Sequence, residues 1–395
     1  MADPLFSILI PTRDRPVTFR HSLATALVQH GDDFEIVVAD NCSSPAVAQI
    51  VKAAQSDRIT YIRSDEILPM TQNWEAGLRR CRGEYITILG DDDGLVPSTL
   101  SSARWLLRET KAKILNWSPH TYWWPDTIVY WNSNRLVVKF GTDAHWYESG
   151  AMLAAFYSNS IGFEKLPMIY SSFVHKSCIE SVINRHGAYF NLPQVPDVVS
   201  GILNLLETDR VLYSRRPLSV RGNSGKSNGT AQWARSLGAE QRETYFREEK
   251  AKLNQIIHQS LIPSPNLSVL IASIKLQCKD MFFPDRNDLN VNIGNLVHSM
   301  INTLNTDPDA YEDNLEEAMA LAKKHRIDLD ALSIPPKATA NRTRFSGPIF
   351  EKDNILETLV IDGDVAGIQD VFSASHLADS MQPNFIDAYP SLRRP

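Results

Sequence analysis

The sequence predicts an α/β fold in which a mostly parallel central sheet is flanked by helices and followed by a mainly α-helical C-terminal region. Two observations predict it. Apolar runs of strand length alternate four times with segments of helical periodicity within the first 110 residues, which is typical of βαβ units. After about residue 231 the composition shifts to strong helix formers. We therefore expect one domain at 1–230, a helical domain at 231–335, and a tail at 336–395 with one candidate helix.

Strands and helices follow each other regularly in the first part of the chain. Each predicted strand is a short apolar run closed by a turn residue, and each predicted helix carries apolar residues on one face. The predicted strands are 6–10, 34–39, 59–63, 84–89 and 113–117. The predicted helices are 16–30, 45–55, 71–81 and 97–110. The crossovers that join parallel strands in this way are right-handed.

The pattern changes near residue 118, where aromatic residues become dense. We expect antiparallel strands at 127–130 and 135–140, and further strands at 169–175 and 211–213. The predicted helices of this part are 151–157, 176–186 and 198–206. Two explanations of the aromatic density stay open: packing within a sheet, and a stacking platform for sugar rings.

Candidate helices dominate the rest of the chain. The apolar spacing predicts them at 241–261, 267–281, 289–304 and 310–325, with one more at 355–372 in the tail. Pro335 and Pro336 break the chain between these two groups. The last residues form a polar run that contains proline, for which we expect disorder.

The bulk composition excludes several classes of protein. A formal net charge of −6 and a pI near 5.9 argue against a nucleic-acid partner. The four cysteines are far apart and form no CxxC pair, so neither a zinc site nor a disulfide framework is indicated. No secretion signal is recognisable, and no run of 18 apolar residues spans a membrane. We expect a cytoplasmic protein, with peripheral contact to the inner face of a membrane left open.

Three polar clusters follow predicted strands. They are Thr12-Arg13-Asp14, Asp40-Asn41 and the acidic triplet Asp91-Asp92-Asp93. The carboxyl ends of parallel strands meet at one edge of a sheet, which is where such folds bind ligands. Adjacent carboxylates repel each other, so this edge favours a hard divalent cation over a solvated acidic turn. Side-chain alternation would put Asp91 and Asp93 on one side and Asp92 on the other.

The order and spacing of these motifs resemble a family-2 glycosyltransferase of the GT-A (Rossmann-like) fold. The similar segments are 7–16 with Pro11-Thr12-Arg13-Asp14, 37–44 with Asp40-Asn41-Cys42-Ser43-Ser44, and 84–93 with the triplet. The resemblance covers roughly residues 5–110. A weaker resemblance at 196–200 and 224–229 extends it to about residue 230. It divides the domain into a nucleotide-binding half at 1–110 and an acceptor-side half at 111–230.

The resemblance implies a nucleotide-sugar donor, with a UDP-sugar as the expected one, and Mg²⁺ or Mn²⁺ as cofactor. Asp93 and Asp91 would bind the metal ion, and Asp40 would accept a hydrogen bond from the base. Asn41 and Cys42 replace the commoner Asp-Gly of the family, which leaves the selectivity for uracil open. The full set of expected donor-binding residues is Pro11, Thr12, Arg13, Asp40, Asn73, Asp91, Asp92 and Lys226.

Transfer with inversion needs one base to take the proton of the acceptor hydroxyl. The resemblance implies that Asp197 is this base. An aspartate just before a helix is also what an N-cap requires, so a capping role is the alternative. Glu164 and Asp209 are weaker candidates for the base.

The glycine- and serine-rich segment 221–229 is not a P-loop, because Val220 stands where that motif needs glycine. We interpret it as a flexible lid whose Lys226, Ser224 and Ser227 close on the diphosphate. A plain surface linker is the alternative. The arginines that could neutralise phosphate are Arg215, Arg216 and Arg221.

The sequence therefore predicts an inverting, metal-dependent glycosyltransferase. The expected acceptor is a glycan or a lipid-linked oligosaccharide, and a protein acceptor stays open. The C-terminal helices would bind the acceptor, form a homodimer or dock on a membrane. A sugar-phosphate nucleotidyltransferase is one alternative, but its glycine-rich G-x-G-T-R signature follows the first strand, where this chain has Pro11-Thr12-Arg13-Asp14 without glycine. A non-catalytic carbohydrate-binding or scaffold protein is another.

Overall fold

A computed structural model of the chain describes residues 3–193, 195–249, 252–330, 332–340, 342–351 and 355–383. The strands of this part are β1 (Phe6–Thr12), β2 (Phe34–Asp40), β3 (Ile59–Arg63), β4 (Tyr85–Ile88), β5 (Gly94–Leu95), β6 (Ile114–Trp117), β7 (His120–Trp123), β8 (Arg135–Lys139), β9 (Ala144–Glu148), β10 (Ser172–His175), β11 (Arg210–Ser214), β12 (Ser219–Asn223), β13 (Gly347–Phe350) and β14 (Leu356–Asp362).

The helices of the same part are α1 (Pro16–Leu27), α2 (Pro45–Ala53), α3 (Met70–Leu78), α4 (Thr99–Thr110), α5 (Ser149–Tyr157), α6 (Lys176–His186), α7 (Pro196–Leu206), α8 (Asn228–Trp233), α9 (Ala239–Glu248), α10 (Leu253–Ile256), α11 (Leu267–Phe282), α12 (Ile293–Asn302), α13 (Tyr311–Lys324), α14 (Gly363–Ala366) and α15 (Val371–Ser380). None of these helices is long and apolar enough to cross a membrane.

The first sheet has the strand order β3-β2-β1-β4-β10-β6-β11-β9 among the described residues. Strands β1 to β4 pair in parallel, and β11 pairs in parallel with β6. Strands β10 and β9 run antiparallel to their neighbours. The predicted α/β fold with a mostly parallel central sheet is confirmed.

Both faces of the first sheet are covered, and the side chains of one strand serve two cores. Leu9 packs on one face with Trp74 of α3, whereas Ile8 and Ile10 pack on the other with Phe19 of α1. A parallel sheet that is buried on both faces needs continuous apolar strands rather than alternating ones. This explains why the short apolar runs of the sequence predicted these strands correctly.

The second sheet has the order β13-β14-β8-β7-β12-β5 in the described chain. Its β5 directly follows the acidic triplet. Helix α15 packs on it and buries Val371, Ala374 and Ala378 beside Tyr122 and Val220. The sheet therefore joins segments from the first quarter, the middle and the tail of the chain.

Several sequence predictions are wrong in this region. The segment 127–130 is not a strand, and β7 lies instead at His120–Trp123. The helix predicted at 355–372 is strand β14 followed by α14 and the start of α15. Residues 221–223 belong to strand β12 rather than to a loop. The polar run at the end of the chain lies almost entirely outside the described residues.

The C-terminal helices form a core of their own and also pack against a helix of the first part of the chain. A cluster that includes Leu270, Val297 and Leu321 joins α11, α12 and α13. The opposite face of α11 packs against α7 and brings Ile271 and Ile274 into the main core. The helix predicted at 241–261 is divided into α9 and α10. The mainly helical C-terminal region is confirmed, but the tail after it returns to the second sheet.

Candidate active site

One large cavity lies at the carboxyl ends of the parallel strands. Its volume is about 1010 Å³. We call it the main cavity. The first sheet, the second sheet, α7 and α9 all contribute to its walls. The predicted site residues that line it are Pro11, Thr12, Arg13, Asn73, Asp91, Asp92, Asp93, Glu164, Asp197 and Lys226. Most of the residues that the sequence singled out are therefore brought together, as the strand-end rule predicts.

Asp91 is held by the end of β1 and by an arginine that the sequence prediction missed. Thr12 Oγ1 donates to Asp91 Oδ2 over 2.9 Å, and Arg15 Nη1 donates to Asp91 Oδ1 over 3.1 Å. The other guanidinium nitrogen of Arg15 donates to the main-chain oxygen of Lys226. Burial alone would lower the pKa of Arg15, but the Asp91 and Asp92 carboxylates raise it above its usual value, so the side chain stays charged.

Asp92 binds the segment that follows β12. Its Oδ2 accepts a 2.6 Å hydrogen bond from Ser224 Oγ, and its main-chain oxygen accepts one from Trp124 Nε1 over 2.9 Å. Burial raises the pKa of Asp92. Asp93 is also bound by the β12 segment, through Gly222, and all three carboxylates line the main cavity, so the predicted separation of Asp92 from Asp91 and Asp93 is not observed. Its contact with a donor stays a prediction.

Asp93 is the carboxylate of the triplet that is oriented by a distant main-chain group. Its Oδ1 accepts a 2.7 Å hydrogen bond from the N–H of Gly222. Burial and the neighbouring Asp92 raise the pKa of Asp93 to about 7. A Cβ at Gly90 would lie 2.6 Å from Asp93 Oδ2, so the glycine before the triplet leaves room for this carboxylate.

The donor set fits Mg²⁺ or Mn²⁺ bound together with a phosphate. Asp91 and Asp93 both line the main cavity, and carboxylate oxygens are the ligands that these ions prefer. Nowhere among the described residues do three or more His, Cys, Asp or Glu side chains form a site that could hold a metal ion alone. Mg²⁺ is commonly bound by one or two carboxylates together with substrate phosphates, and Asp91 and Asp93 would be the two carboxylates here.

Asp197 lies in the first turn of α7 and is not its N-cap residue. The residue before the helix is Val195, whose φ of 41° is left-handed, and Pro196 begins the helix. Val195 therefore holds the N-cap position, so the predicted N-cap position of Asp197 is wrong. Burial raises the pKa of Asp197. Its carboxylate interacts with the main-chain N–H groups of Asp197 and Val198 in this first turn, and it lines the main cavity, where it is available for proton transfer.

Asp40 does not line the main cavity, contrary to its predicted contact with the base. It is 1 % exposed, and its carboxylate accepts hydrogen bonds from the N–H of Ser43 and from the Tyr61 hydroxyl. It therefore holds the turn after β2. Cys42 in this turn has a φ of 54°, the left-handed region that favours glycine. The neighbouring Asn41 does line the cavity.

Asp209, a weaker candidate for the base, is also placed elsewhere. It lines a separate cavity of about 490 Å³ that shares no lining residue with the main cavity. Its main-chain oxygen accepts a hydrogen bond from Ser149 N. Of the three carboxylates considered for the base, Asp197 and Glu164 remain in the main cavity.

The segment after β12 is docked on the triplet. Ser224 binds Asp92, and Ser227 caps α8 by accepting from the N–H of Thr230. Lys226 Nζ donates to the main-chain oxygen of Asp14 over 3.2 Å. Lys226 thereby lies at the cavity, as predicted. The sequence did not indicate that this segment would be tied to the triplet.

Helix α9 of the C-terminal region forms one wall of the main cavity. Glu248 makes a 3.1 Å ion pair with Arg13, and Glu249 Oε1 accepts from the N–H of Met70 over 2.8 Å. Arg13 Nη1 and Glu249 Oε2 are buried without a hydrogen-bond partner in the described residues. Buried polar atoms of this kind normally have partners, so this wall is suited to a polar ligand. No local sequence pattern indicated these long-range contacts.

The two explanations of the aromatic segment apply to different residues. Trp117 and Trp124 are buried in the protein core. Trp123 lines the main cavity and lies against Trp233 of α8, with ring centroids 6.2 Å apart. Within the aromatic segment as the structure describes it, Trp123 is the residue that could stack on a sugar ring in the main cavity, with Trp233 of α8 beside it.

Comparisons with known proteins concern mainly the first third of the chain. The profile of Glycosyl transferase family 2 matches residues 7–147. The chain is 33% identical over 101 residues to the putative colanic acid biosynthesis glycosyl transferase WcaA of Escherichia coli K12, which is 25% of this chain and 36% of that protein. It is 32% identical over 102 residues to the GalNAc(5)-diNAcBac-PP-undecaprenol beta-1,3-glucosyltransferase of Campylobacter jejuni, which is 25% of this chain and 33% of that protein. The matches therefore span about a third of these relatives.

Among solved structures, the chain aligns with Staphylococcus aureus TarS 1–349 in complex with UDP-GlcNAc. The comparison covers 82% of this chain and 88% of that one, with a TM-score of 0.47 and 14% sequence identity.

Proposed function

We propose, from the premise that residues 7–147 form a family-2 glycosyltransferase domain, that the chain is an inverting, metal-dependent glycosyltransferase. The donor is a nucleotide sugar, with a UDP-sugar as the expected one. The acceptor is a glycan or a lipid-linked oligosaccharide, with a protein acceptor left open.

One observation carries the proposal. Asp91, Asp93 and Asp197 converge on the main cavity together with the end of β1. Its volume of about 1010 Å³ is at the upper end of the range for ligand pockets, as a nucleotide sugar with its acceptor requires. A donor site and a separate carboxylate in one cavity are the minimum that a single-displacement transfer needs.

Asp91 and Asp93 would hold the Mg²⁺ or Mn²⁺ ion. When bound, the ion supplies positive charge that stabilises the departing nucleoside diphosphate. Arg15 keeps Asp91 oriented, and Gly222 keeps Asp93 oriented. Lys226 lies on the same side of the cavity, where its ammonium group can reach a phosphate.

The nucleotide would bind along Pro11, Thr12, Arg13 and Asn73. The buried Arg13 Nη1 without a partner is the donor that supports this placement. The proposal assigns Asp40 no contact with the base, because its carboxylate accepts hydrogen bonds from the N–H of Ser43 and from the Tyr61 hydroxyl. The choice of UDP over other nucleotides therefore rests on the sequence resemblance.

Asp197 would act as the catalytic base. Its carboxylate takes the proton of the acceptor hydroxyl while the hydroxyl oxygen bonds to the anomeric carbon of the donor sugar. The bond between that carbon and the diphosphate oxygen breaks in the same step, so the configuration inverts. Burial raises the pKa of Asp197, which makes it a stronger base than an exposed aspartate.

A panel of nucleotide sugars assayed with Mn²⁺ for slow donor hydrolysis tests this function, because hydrolysis needs no acceptor. One UDP-sugar is expected to release UDP, and Asp93→Asn is expected to stop it. Asp209→Asn is the matched control, since Asp209 lies outside the main cavity. If no nucleotide sugar binds or reacts, the proposal is wrong.

The two alternative functions predict other outcomes in enzymatic and binding assays. A sugar-phosphate nucleotidyltransferase would consume a nucleoside triphosphate and a sugar 1-phosphate and release pyrophosphate. A carbohydrate-binding or scaffold protein would bind sugars without any turnover. A cytoplasmic location and a homodimer formed by the C-terminal helices stay predictions.

A further inference from the structure

One face of the second sheet forms a wall of the main cavity. Strands β7 and β12 pair in parallel, with Arg221 beside Thr121 and Asn223 beside Trp123. Side chains alternate along a strand, so these four residues belong to one face, and all four line the cavity. The intervening Tyr122 is buried in the core on the other side. We call this face the β7–β12 wall.

Arg221 is a cation of this wall without a partner. Its side chain is exposed and makes no hydrogen bond or ion pair with any residue that the structure describes. The other arginines of the cavity, Arg13 and Arg15, are paired with Glu248 and Asp91. A free guanidinium in a cavity is suited to a carboxylate or a phosphate, which it binds through two parallel hydrogen bonds.

Trp123 and Trp233 form an aromatic pair on the same wall. Their ring centroids are 6.2 Å apart, and the rings are inclined by 52°. Trp233 is 42% exposed although an indole of this size is normally well buried. Thr230 Oγ1 donates to Asn223 Oδ1 over 3.0 Å, which ties α8, and with it Trp233, to β12. The pair therefore offers an apolar surface to a ligand in the cavity.

We propose that the β7–β12 wall binds an anionic sugar acceptor. Arg221 binds a carboxylate or phosphate group of the acceptor, and the Trp123–Trp233 pair stacks on one of its rings. This inference rests on the proposed transferase function and names the chemical class of the acceptor, which that proposal leaves open.

The position of Arg221 relative to the expected donor site favours the acceptor over the donor. The expected nucleotide contacts at Pro11, Thr12 and Arg13 belong to the first sheet, whereas Arg221 and the aromatic pair belong to the second. Arg221 lies near enough to both Asp197 and Asp93 to interact with them electrostatically, so it lies between the proposed base and the proposed metal ligand. An acceptor anchored at Arg221 would thus present a hydroxyl to the proposed base.

A binding experiment with three probes tests the inference on the full chain. Methyl glucoside, methyl glucuronide and glucose 1-phosphate are titrated in the presence of saturating UDP and Mn²⁺, with tryptophan fluorescence and calorimetry as readouts. The two anionic probes, or one of them, are expected to bind at least about 10-fold more tightly than the neutral one. A preference for the uronide indicates an acidic sugar, and a preference for the phosphate indicates a sugar phosphate; either result supports the inference.

Two variants separate the contribution of Arg221 to binding from that of the Trp123–Trp233 pair. Arg221→Gln is expected to reduce binding of the anionic probe to the level of methyl glucoside while UDP affinity stays unchanged. Trp233→Ala is expected to weaken all three probes by up to about 10-fold and to keep the preference for the anion. Arg286→Gln is the matched control, because Arg286 is paired with Asp288 on the surface.

Two results would overturn the inference: equal binding of all three probes to the unmodified chain, or a loss of UDP affinity in Arg221→Gln as large as its loss of probe affinity. The second would assign Arg221 to the donor diphosphate. Failure of the proposed transferase function has a different signature, because then UDP does not bind with Mn²⁺. In that case the probes are titrated without UDP. Tighter binding of the anionic sugars than of the neutral one would then still support an anion site on the β7–β12 wall.

Discussion

The carboxylate of Asp93 accepts a 2.7 Å hydrogen bond from the main-chain N–H of Gly222, which is 129 residues further along the chain. The carboxylate proposed to bind the metal ion is therefore oriented by the second sheet and not only by the strand that precedes it. Glycine is required at 222, since a Cβ there would overlap the main-chain oxygen of Asp92.

Gly222→Ala is expected to displace the triplet. The added methyl group has no space, so the free energy of unfolding should fall by about 1–3 kcal/mol, and Mn²⁺-dependent UDP binding should be lost. Gly229→Ala is the matched control. A Cβ at Gly229 meets no atom within 4 Å, and alanine favours the helix there, so stability should be unchanged or rise by up to about 1 kcal/mol. Urea unfolding and calorimetry measure both. Equal effects of the two variants would contradict the role assigned to Gly222.

Asp93→Asn is expected to remove the dependence of UDP affinity on Mn²⁺. The amide keeps an acceptor for the Gly222 N–H but carries no charge for the ion. UDP titrations with Mn²⁺ and with a chelator measure the effect. Unchanged Mn²⁺ dependence in this variant would show that Asp93 is not a ligand, whereas Asp209→Asn should retain it.

Asp197→Asn is expected to keep UDP affinity and to lower kcat by about 10²- to 10⁴-fold, the usual contribution of a general base. The pH dependence has a defined sign. Burial raises the pKa of Asp197, and only its ionised form accepts a proton. The kcat of the unmodified chain should therefore rise with pH through a pKa above the ordinary aspartate value, and fall below it. A kcat profile of the asparagine variant that retained this rise would exclude Asp197 as the base.

We expect the buried ion pair between Arg216 and Asp379 to contribute to the stability of the protein by holding the tail in place. Arg216, 3% exposed, pairs with Asp379 of α15, which also accepts hydrogen bonds from Ser98. Asp379→Ala leaves a buried charge unpaired, so the free energy of unfolding should fall by about 3–5 kcal/mol. Asp288→Ala, which breaks an exposed pair with Arg286, should cause no measurable change in urea unfolding. A fully stable Asp379→Ala would show that this ion pair does not stabilise the packing of α15.

The first sheet and most of the candidate site could be predicted from the sequence. Strands β1, β2 and β4 are buried on both faces, so each appears as a mainly apolar run. Because parallel strands end at one edge, Thr12 and the triplet had to lie close together, and their hydrogen bond confirms it.

Contacts between distant segments could not be predicted in this way. The apolar residues at 355–372 fit a helix and a strand almost equally. The first part of this segment is a strand because β14 pairs with the distant β8. Asp40 and Asp91 both follow strands, but only the surrounding turn determines which carboxylate faces the cavity. Arg15 carried no signal of its own, because its two partners lie 76 and 211 residues away.

The packing of α15 on the second sheet has a consequence for biosynthesis. A nascent chain that has left the ribosome as far as Gly229 already contains every residue proposed to bind donor or metal. It lacks Val371, Ala374 and Ala378, which cover Tyr122 and Val220 beneath the β7–β12 wall. Translation proceeds from the N-terminus. The apolar face of the strands that orient Asp92 and Asp93 therefore stays uncovered until α15 has been synthesised. We therefore expect the proposed donor and metal site to become fully ordered only after α15 has been synthesised.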